Sequence, residues 1–253
     1  MQGYSEWRSL AVAQAVCRPG DCIIEIGDHL GVETLSFADI VGRSGQVIAF
    51  EPVPELREVI IRNRDRNQQQ HISVLPYAVA EAARTVQFQK PSSPHNTGTG
   101  KISRDPHEQS ETFAVPCVTL DQLSRSLPAP RFMHIDAEGA EPLILQGAQH
   151  LIARHRPTIF LEVFPRLLKE FDTTPAALRT TLQQMGYHVF MLRLLLGRQS
   201  VPINTHLLIN WIAVPVEQPA LLRRITAYVH LAGWLPLGSS VNPLCSPTHW
   251  NRI

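Results

Sequence analysis

The run Cys22-Ile23-Ile24-Glu25-Ile26-Gly27-Asp28-His29-Leu30-Gly31 limits the folds open to this chain more than any other stretch. Ile23, Ile24 and Ile26 make a short apolar run interrupted only by Glu25, and a Gly27-x-x-x-Gly31 turn follows. Beyond the turn, Leu35, Ala38 and Val41 recur at helical spacing. An apolar strand ending in a glycine turn before a helix is how an α/β nucleotide-binding unit begins. Glycine permits the sharp turn and the close approach of a ligand. A second apolar run, Val47-Ile48-Ala49-Phe50, ends in Glu51, 20 residues beyond Gly31. A carboxylate at that strand end can accept hydrogen bonds from both ribose hydroxyls of an adenosine ligand.

Charge separates the adenosine ligands. A dinucleotide fingerprint needs G-x-G-x-x-G, so that a helix N-terminus can hold the pyrophosphate. Here His29 and Val32 stand where glycines would, and Asp28 adds a negative charge where a pyrophosphate would sit. That disfavours a nucleotide-binding oxidoreductase. The chain has no G-x-x-x-x-G-K-[ST] run either. S-adenosylmethionine (SAM) carries no phosphate, and its sulfonium and ammonium are both cationic. A turn flanked by Glu25 and Asp28 suits it.

Length, at 253 residues, predicts one large domain or one domain with an appendage. The net charge of +1, with no basic tract, argues against nucleic acid as an obligate partner. Cys17, Cys22, Cys117 and Cys245 lack metal-ligand spacing and read as reduced thiols. Glu6 and Arg8 interrupt the first apolar stretch, which therefore does not read as a signal peptide. The run Leu194 to Leu196 is far too short to span a membrane. These features predict a cytoplasmic protein with no membrane partner.

In order, the periodicity predicts a helix over 5–17 capped by Ser5, and a helix opened by Pro52 and Pro54. Strands follow at Ile72–Leu75 and Thr85–Gln89, with Pro76-Tyr77-Ala78-Val79 at the same end of the sheet as the earlier strand ends. Three βα repeats imply a mostly parallel sheet covered by helices on both faces. Residues 90–110, rich in turn formers, read as a surface loop or a substrate lid. Phe113–Val118 is extended, and Thr119 caps a short helix.

Arg131-Phe132-Met133-His134-Ile135-Asp136-Ala137-Glu138-Gly139-Ala140-Glu141 is the second chemically dense stretch. Phe132–Ile135 reads as a central strand with Asp136 at its C-terminal end, where open α/β sheets bind ligands. Glu138 falls near the same cleft, while Glu141 suits the first turn of the next helix. Glu162 lies inside the apolar strand Thr158–Phe164 and needs a partner or a role there. Asp136 is the first candidate for general base or acceptor anchor and Glu138 the second, with His134 and His29 behind them. Asp136 and Glu138, with a third carboxylate such as Glu162, could instead hold Mg²⁺. Tyr187–Leu192 and Leu207–Val214 predict a final strand pair joined through Gly197–Thr205. A helix from Pro219 bears Leu221, Ile225, Val229 and Ala232, and a Pro-rich tail with Trp250 follows. This end of the chain reads as packing on the domain, with a substrate cap or a homodimer contact as sharper alternatives.

Four stretches, taken in order, resemble the FkbM type of class I SAM-dependent methyltransferase. They are Pro19-Gly20-Asp21 with Ile24-Glu25-Ile26-Gly27 and Gly31, then Val47–Pro52, then Val118-Thr119-Leu120-Asp121, then Ile135–Glu141 with Gly147-Ala148 behind it. Arg156-Pro157, Leu161-Glu162-Val163 and Gly186-Tyr187 extend the match over roughly residues 15–215. The chain departs from that type at Asp28 and His29, where Ala-Asn is usual, and at His134, where lysine is frequent.

The resemblance implies a Rossmann-like, mostly parallel seven-stranded sheet with an antiparallel C-terminal strand pair. It divides the chain into a SAM-dependent domain over 1–216 and an appendage over 217–253. It implies O-methylation of a sugar or other natural-product hydroxyl, so the partner is a small-molecule or glycan acceptor. On this reading Glu25 holds the methionine ammonium and Gly27, Asp28 and Gly31 shape the cofactor turn. Glu51 holds the ribose, Ala78 lies beside the adenine and Asp136 borders the cofactor. The altered Asp28 and His29 leave open a protein that binds SAM without transferring methyl.

Overall fold

The computed structural model describes residues 7–27, 30–89, 100–103, 111–192, 198–199 and 209–234. The chain begins with α1 (Trp7–Val16), β1 (Cys22–Ile26), α2 (Val32–Val41), β2 (Gln46–Phe50), α3 (Pro54–Arg66) and β3 (Ile72–Leu75). Next come β4 (Ala78–Val79), β5 (Arg84–Gln89), β6 (Lys101–Ile102), β7 (Thr112–Val118) and α4 (Leu120–Leu123). Then follow β8 (Pro130–Ile135), α5 (Glu141–Gln146), α6 (Gln149–His155), β9 (Thr158–Val163) and α7 (Pro165–Leu168) with a 3₁₀ turn at Lys169–Phe171. The last elements are α8 (Pro175–Gln184), β10 (Tyr187–Leu192), β11 (Arg198–Gln199), β12 (Ile209–Pro215) and α9 (Pro219–Trp234).

The main sheet runs β10-β12-β9-β8-β1-β2-β3, with the two-residue β11 beside β10. Strands β9, β8, β1, β2 and β3 are parallel, and β12 is antiparallel to both β9 and β10. This is the expected seven-stranded sheet with its antiparallel pair. Chain order reverses beside β1, since β2 and β3 build outward on one side and β8 and β9 on the other. A crevice must open at that reversal, outside the carboxyl ends of β1 and β8.

Alternation along the strands divides the core into two layers. Ile24, Ile26, Met133, Ile135 and Leu161 face the layer holding Ile144, Leu145, Leu151 and Leu178. Ile23, Phe132, Phe160 and Ile212 face the opposite layer with Leu10, Val12, Phe37, Leu221 and Ile225. Helix α9 therefore shares a core with α1 and the sheet. Residues 235–253, and with them the Pro-rich tail, lie outside the described residues, as do Ser5 and all of the Gly197–Thr205 connection except Arg198 and Gln199.

Strands β4, β7, β5 and β6 form a second, four-stranded sheet that the periodicity does not reveal. Its apolar face, with Val86, Phe88, Val115 and Cys117, packs on Val53, Ala140 and Phe171. It therefore stands against the segments that follow β2 and β8, on the crevice side of the main sheet. Most of 90–110 falls outside the described residues, so neither the loop nor the lid expectation can be placed.

Two of the sequence signatures turn out to be structural. Asp121 accepts from the backbone N–H groups of His150 and Leu151, closing the start of α6, while Thr119 and Gln122 form a reciprocal capping box on α4. Arg156 donates to the carbonyls of Met185 and Gly186 and to Glu217, and its guanidinium lies 4.4 Å from the centre of the Tyr187 ring. It thereby ties the α6–β9 turn to the start of β10. Among the described residues no helix is long and apolar enough to cross a membrane.

Candidate functional site

Glu25, His134, Asp136 and Glu162 all point to the α1–α2 face of the sheet, by alternation from Ile23, Phe132 and Phe160. The register pairs Glu25 with His134 and Ile135 with Leu161, so Asp136 and Glu162 follow side by side at the ends of β8 and β9. Asn210 of β12 stands opposite Glu162 on the other side.

Asp136 is half-buried, and its carboxyl is pushed well above the ordinary carboxylate range. Burial is the largest cause, followed by the charge of Glu162 and a hydrogen bond with it, then by Glu138 and Glu33. The nearby Glu162 charge disfavours ionisation of Asp136. Sequence reasoning marks Glu162 as a carboxylate needing a partner. It does not find that the partner is Asp136, because that pairing depends on strand register.

Glu138 follows in a left-handed conformation, φ 49°, a strained geometry for a residue other than glycine. Burial, then the charge of Glu162, raises its carboxyl to about 7, against the lowering effect of Lys101. Lys101, from β6 of the second sheet, pairs with Glu170, which also raises Glu138. Glu141 lies deeper. It is fully buried, and its Oε1 accepts from the N–H groups of Ala137 and Gly139, so it holds the Asp136–Ala140 loop in shape.

Gly27 (φ 87°) ends β1, and a Cβ there would lie 1.7 Å from the carbonyl oxygen of Asp136. Glycine at this position is therefore demanded by the fit of β1 against β8, whatever approach it also permits a ligand. The Asp136 N–H donates to the Ile26 carbonyl at 2.9 Å and closes the same junction. Gly27→Ala combines a disfavoured φ with backbone overlap and is expected to cost about 3 kcal/mol or more. Chemical denaturation would show this as a lowered midpoint.

Gly31 caps α2 in a left-handed conformation (φ 80°), and Glu33 stands in the first turn of that helix. Glu25 is fully buried, and its Oε2 accepts the Thr34 hydroxyl at 2.6 Å. Glu51, at the end of β2, is 4% exposed, and its Oε1 accepts from Val53 N–H at 2.7 Å. Arg57 donates to the Glu51 and Pro52 carbonyls, fixing the backbone of that strand end. Ala78 belongs to β4, and its side chain packs in the core of the second sheet. Asp28 and His29 lie outside the described residues.

His134, the third catalytic candidate, lies in the core. It is 2% exposed, stacked against Phe160 and tilted against Phe37, and burial lowers its pKa to about 3. This placement gives no support to direct proton transfer by the ring.

Carboxylates thus dominate the crevice: Glu25, Glu33, Asp136 and Glu162 share one face, and Glu51 stands at the neighbouring strand end. Such a wall suits a cationic, phosphate-free cofactor, and Glu33 in the first turn of α2 opposes a pyrophosphate at that helix end. Among the described residues no group of three His, Cys, Asp or Glu side chains is arranged to hold a metal ion, so the Mg²⁺ alternative finds no support in Asp136, Glu138 and Glu162.

Comparison with known proteins gives a consistent result. A family model described as the methyltransferase FkbM domain matches residues 25–189, more than half of the chain. A methyltransferase FkbM from Methylobacillus flagellatus is similar in structure, with a TM-score of 0.53 at 16% identity. The match covers 84% of this chain but 48% of that one, so this chain spans about half the length of that relative. A protein from Clostridium thermocellum described as a putative rRNA-methylase has a TM-score of 0.51 at 10% identity, covering 85% of this chain and 98% of its own. These likenesses concern the fold. No curated protein matches the chain.

Proposed function

Because this chain belongs to the FkbM family of SAM-dependent methyltransferases, we propose that it transfers a methyl group from SAM to a hydroxyl of a sugar or another natural product. When bound, SAM supplies an electrophilic methyl group on a cationic sulfur. The residues of the chain have the remaining tasks. Glu51 accepts from the ribose hydroxyls, and Glu25 offers negative charge to the methionine end. Gly27 and Gly31 hold the turn between them, with Asp28 in that turn.

The observation that carries the acceptor reading is the carboxyl pair at the ends of β8 and β9. A hydroxyl acceptor must lose a proton as its oxygen is methylated. Asp136, at the sheet's reversal point and hydrogen-bonded to Glu162, can take that proton once it is ionised. Glu138, raised to about 7, is the second group able to do so near neutral pH. Holding an acceptor in line with a bound methyl donor can supply on the order of 7–11 kcal/mol. Positioning therefore carries most of the catalysis.

On the same reading residues 1–216 form the catalytic domain and 217–253 pack on it, as the burial of Leu221 and Ile225 against the α1 layer supports. A cytoplasmic location is part of this reading, with a homodimer contact at the C-terminal end as the alternative to that packing. The test is transfer of labelled methyl from SAM onto a panel of glycosides and polyketides. Label in a hydroxyl-bearing product supports the proposal. SAM binding by calorimetry without transfer to any of the panel would instead favour a protein that binds SAM and does not use it.

A further inference from the structure

We propose that His134 is a positioning residue for Glu25, orienting that carboxylate toward the methionine end of SAM; the inference rests on the cofactor reading above. His134 lies at the middle of the sheet, in register with Glu25 on β1 and Phe160 on β9. Its ring centre is 5.3 Å from that of Phe160, nearly parallel at 22°, and 5.5 Å from that of Phe37 at 59°. Two aromatic neighbours leave the imidazole little freedom to rotate. In this fixed orientation Nδ1 faces Glu25 Oε1 at 4.0 Å. Thr34 secures the other carboxylate oxygen through a 2.6 Å hydrogen bond. One oxygen is therefore hydrogen-bonded to Thr34, and Nδ1 faces the second.

The choice of residue is informative. Among the described residues Nδ1 has no hydrogen-bond partner, and a buried donor left unsatisfied costs stability. A phenylalanine would extend the Phe37–Phe160 stack without that cost. A histidine serving only as core filler is thus a poor choice here, whereas one aimed at a ligand-facing carboxylate is not. Burial keeps the ring neutral, so on this proposal it acts as the tautomer that carries its hydrogen on Nδ1, through a dipole and not as a cation.

Filler and positioning residue respond oppositely to substitution. SAM titrations by calorimetry would compare the wild type with His134→Phe and His134→Asn, alongside denaturant unfolding of each. Asn places its Nδ2 near the position of the imidazole Nδ1. The expected result is a SAM Kd raised about tenfold in His134→Phe, largely restored in His134→Asn, with the Phe variant at least as stable as the wild type. In a Glu25→Gln background the Phe substitution should have no further effect on SAM. Equal SAM affinity of His134→Phe and wild type, or an Asn variant as weak as Phe, overturns the proposal. Should the Phe variant fail to fold, His134→Leu replaces it in the same cycle. A wild type that releases no heat with SAM refutes the cofactor reading itself, an outcome distinct from these.

Discussion

Asp136→Asn is expected to slow methyl transfer by about 10²–10⁴-fold while leaving the SAM dissociation constant within about threefold of wild type. The amide keeps the shape and a hydrogen bond to Glu162 but cannot accept the acceptor's proton. Steady-state rates on an acceptor identified by the panel, together with calorimetry, separate the two effects. An unchanged rate would show that the hydroxyl loses its proton elsewhere. The pH dependence follows from the direction of the shift. The folded state holds the Asp136 carboxyl well above its ordinary range, so Asp136 is protonated and inactive as a base at low pH. The wild-type rate should therefore rise as pH increases through the raised pKa. Stability moves the other way. A group bound to a proton more tightly when folded contributes stability that is fully present below the unfolded carboxylate range and lost as pH rises through the folded pKa. Glu162→Gln removes the like charge facing Asp136, so it should shift the rate profile to lower pH and flatten that stability slope.

Glu51→Ala is expected to weaken SAM binding at least tenfold. A charge-assisted hydrogen bond contributes roughly 1.5–3 kcal/mol, and a ribose offers two hydroxyls to this carboxylate. One oxygen of Glu51 already accepts from Val53 N–H, so truncation also loosens the start of α3. Glu51→Gln separates these contributions: its amide oxygen can keep the Val53 bond while the charge is lost. A Kd in Gln close to wild type and far from Ala would assign the effect to loop order. An unchanged Kd in both variants would refute the ribose role.

The parts of this molecule visible in its sequence are those fixed by local pattern. Ile23-Ile24 leading to Gly27 and Gly31, the strand ending at Glu51, and Phe132–Ile135 ending at Asp136 each announce themselves through apolar runs and turn residues. From their order the main sheet follows. What stayed hidden depends on partners distant in sequence. Strands β5 and β7 are readable as extended segments, but nothing local says that they leave the main sheet and pair with each other. The Asp136–Glu162 pair is set by register, and the burial of His134 by the flanking Phe37 and Phe160. Thr34 offered a weak clue, since a hydroxyl on the helix after the glycine turn can reach back to a strand acid. Glu141, whose position at a helix start suggested a dipole role, turned out to brace the loop beside the cleft.

The missing side chain at Gly27 joins two halves of the crevice mechanically. With the Asp136 carbonyl nested where a Cβ would be, and the Asp136 N–H bonded to Ile26, the end of β1 and the end of β8 form one joint. Two backbone contacts at one glycine thus keep the ends of β1 and β8 in a fixed relation, so the placement of Glu25 and that of Asp136 vary together.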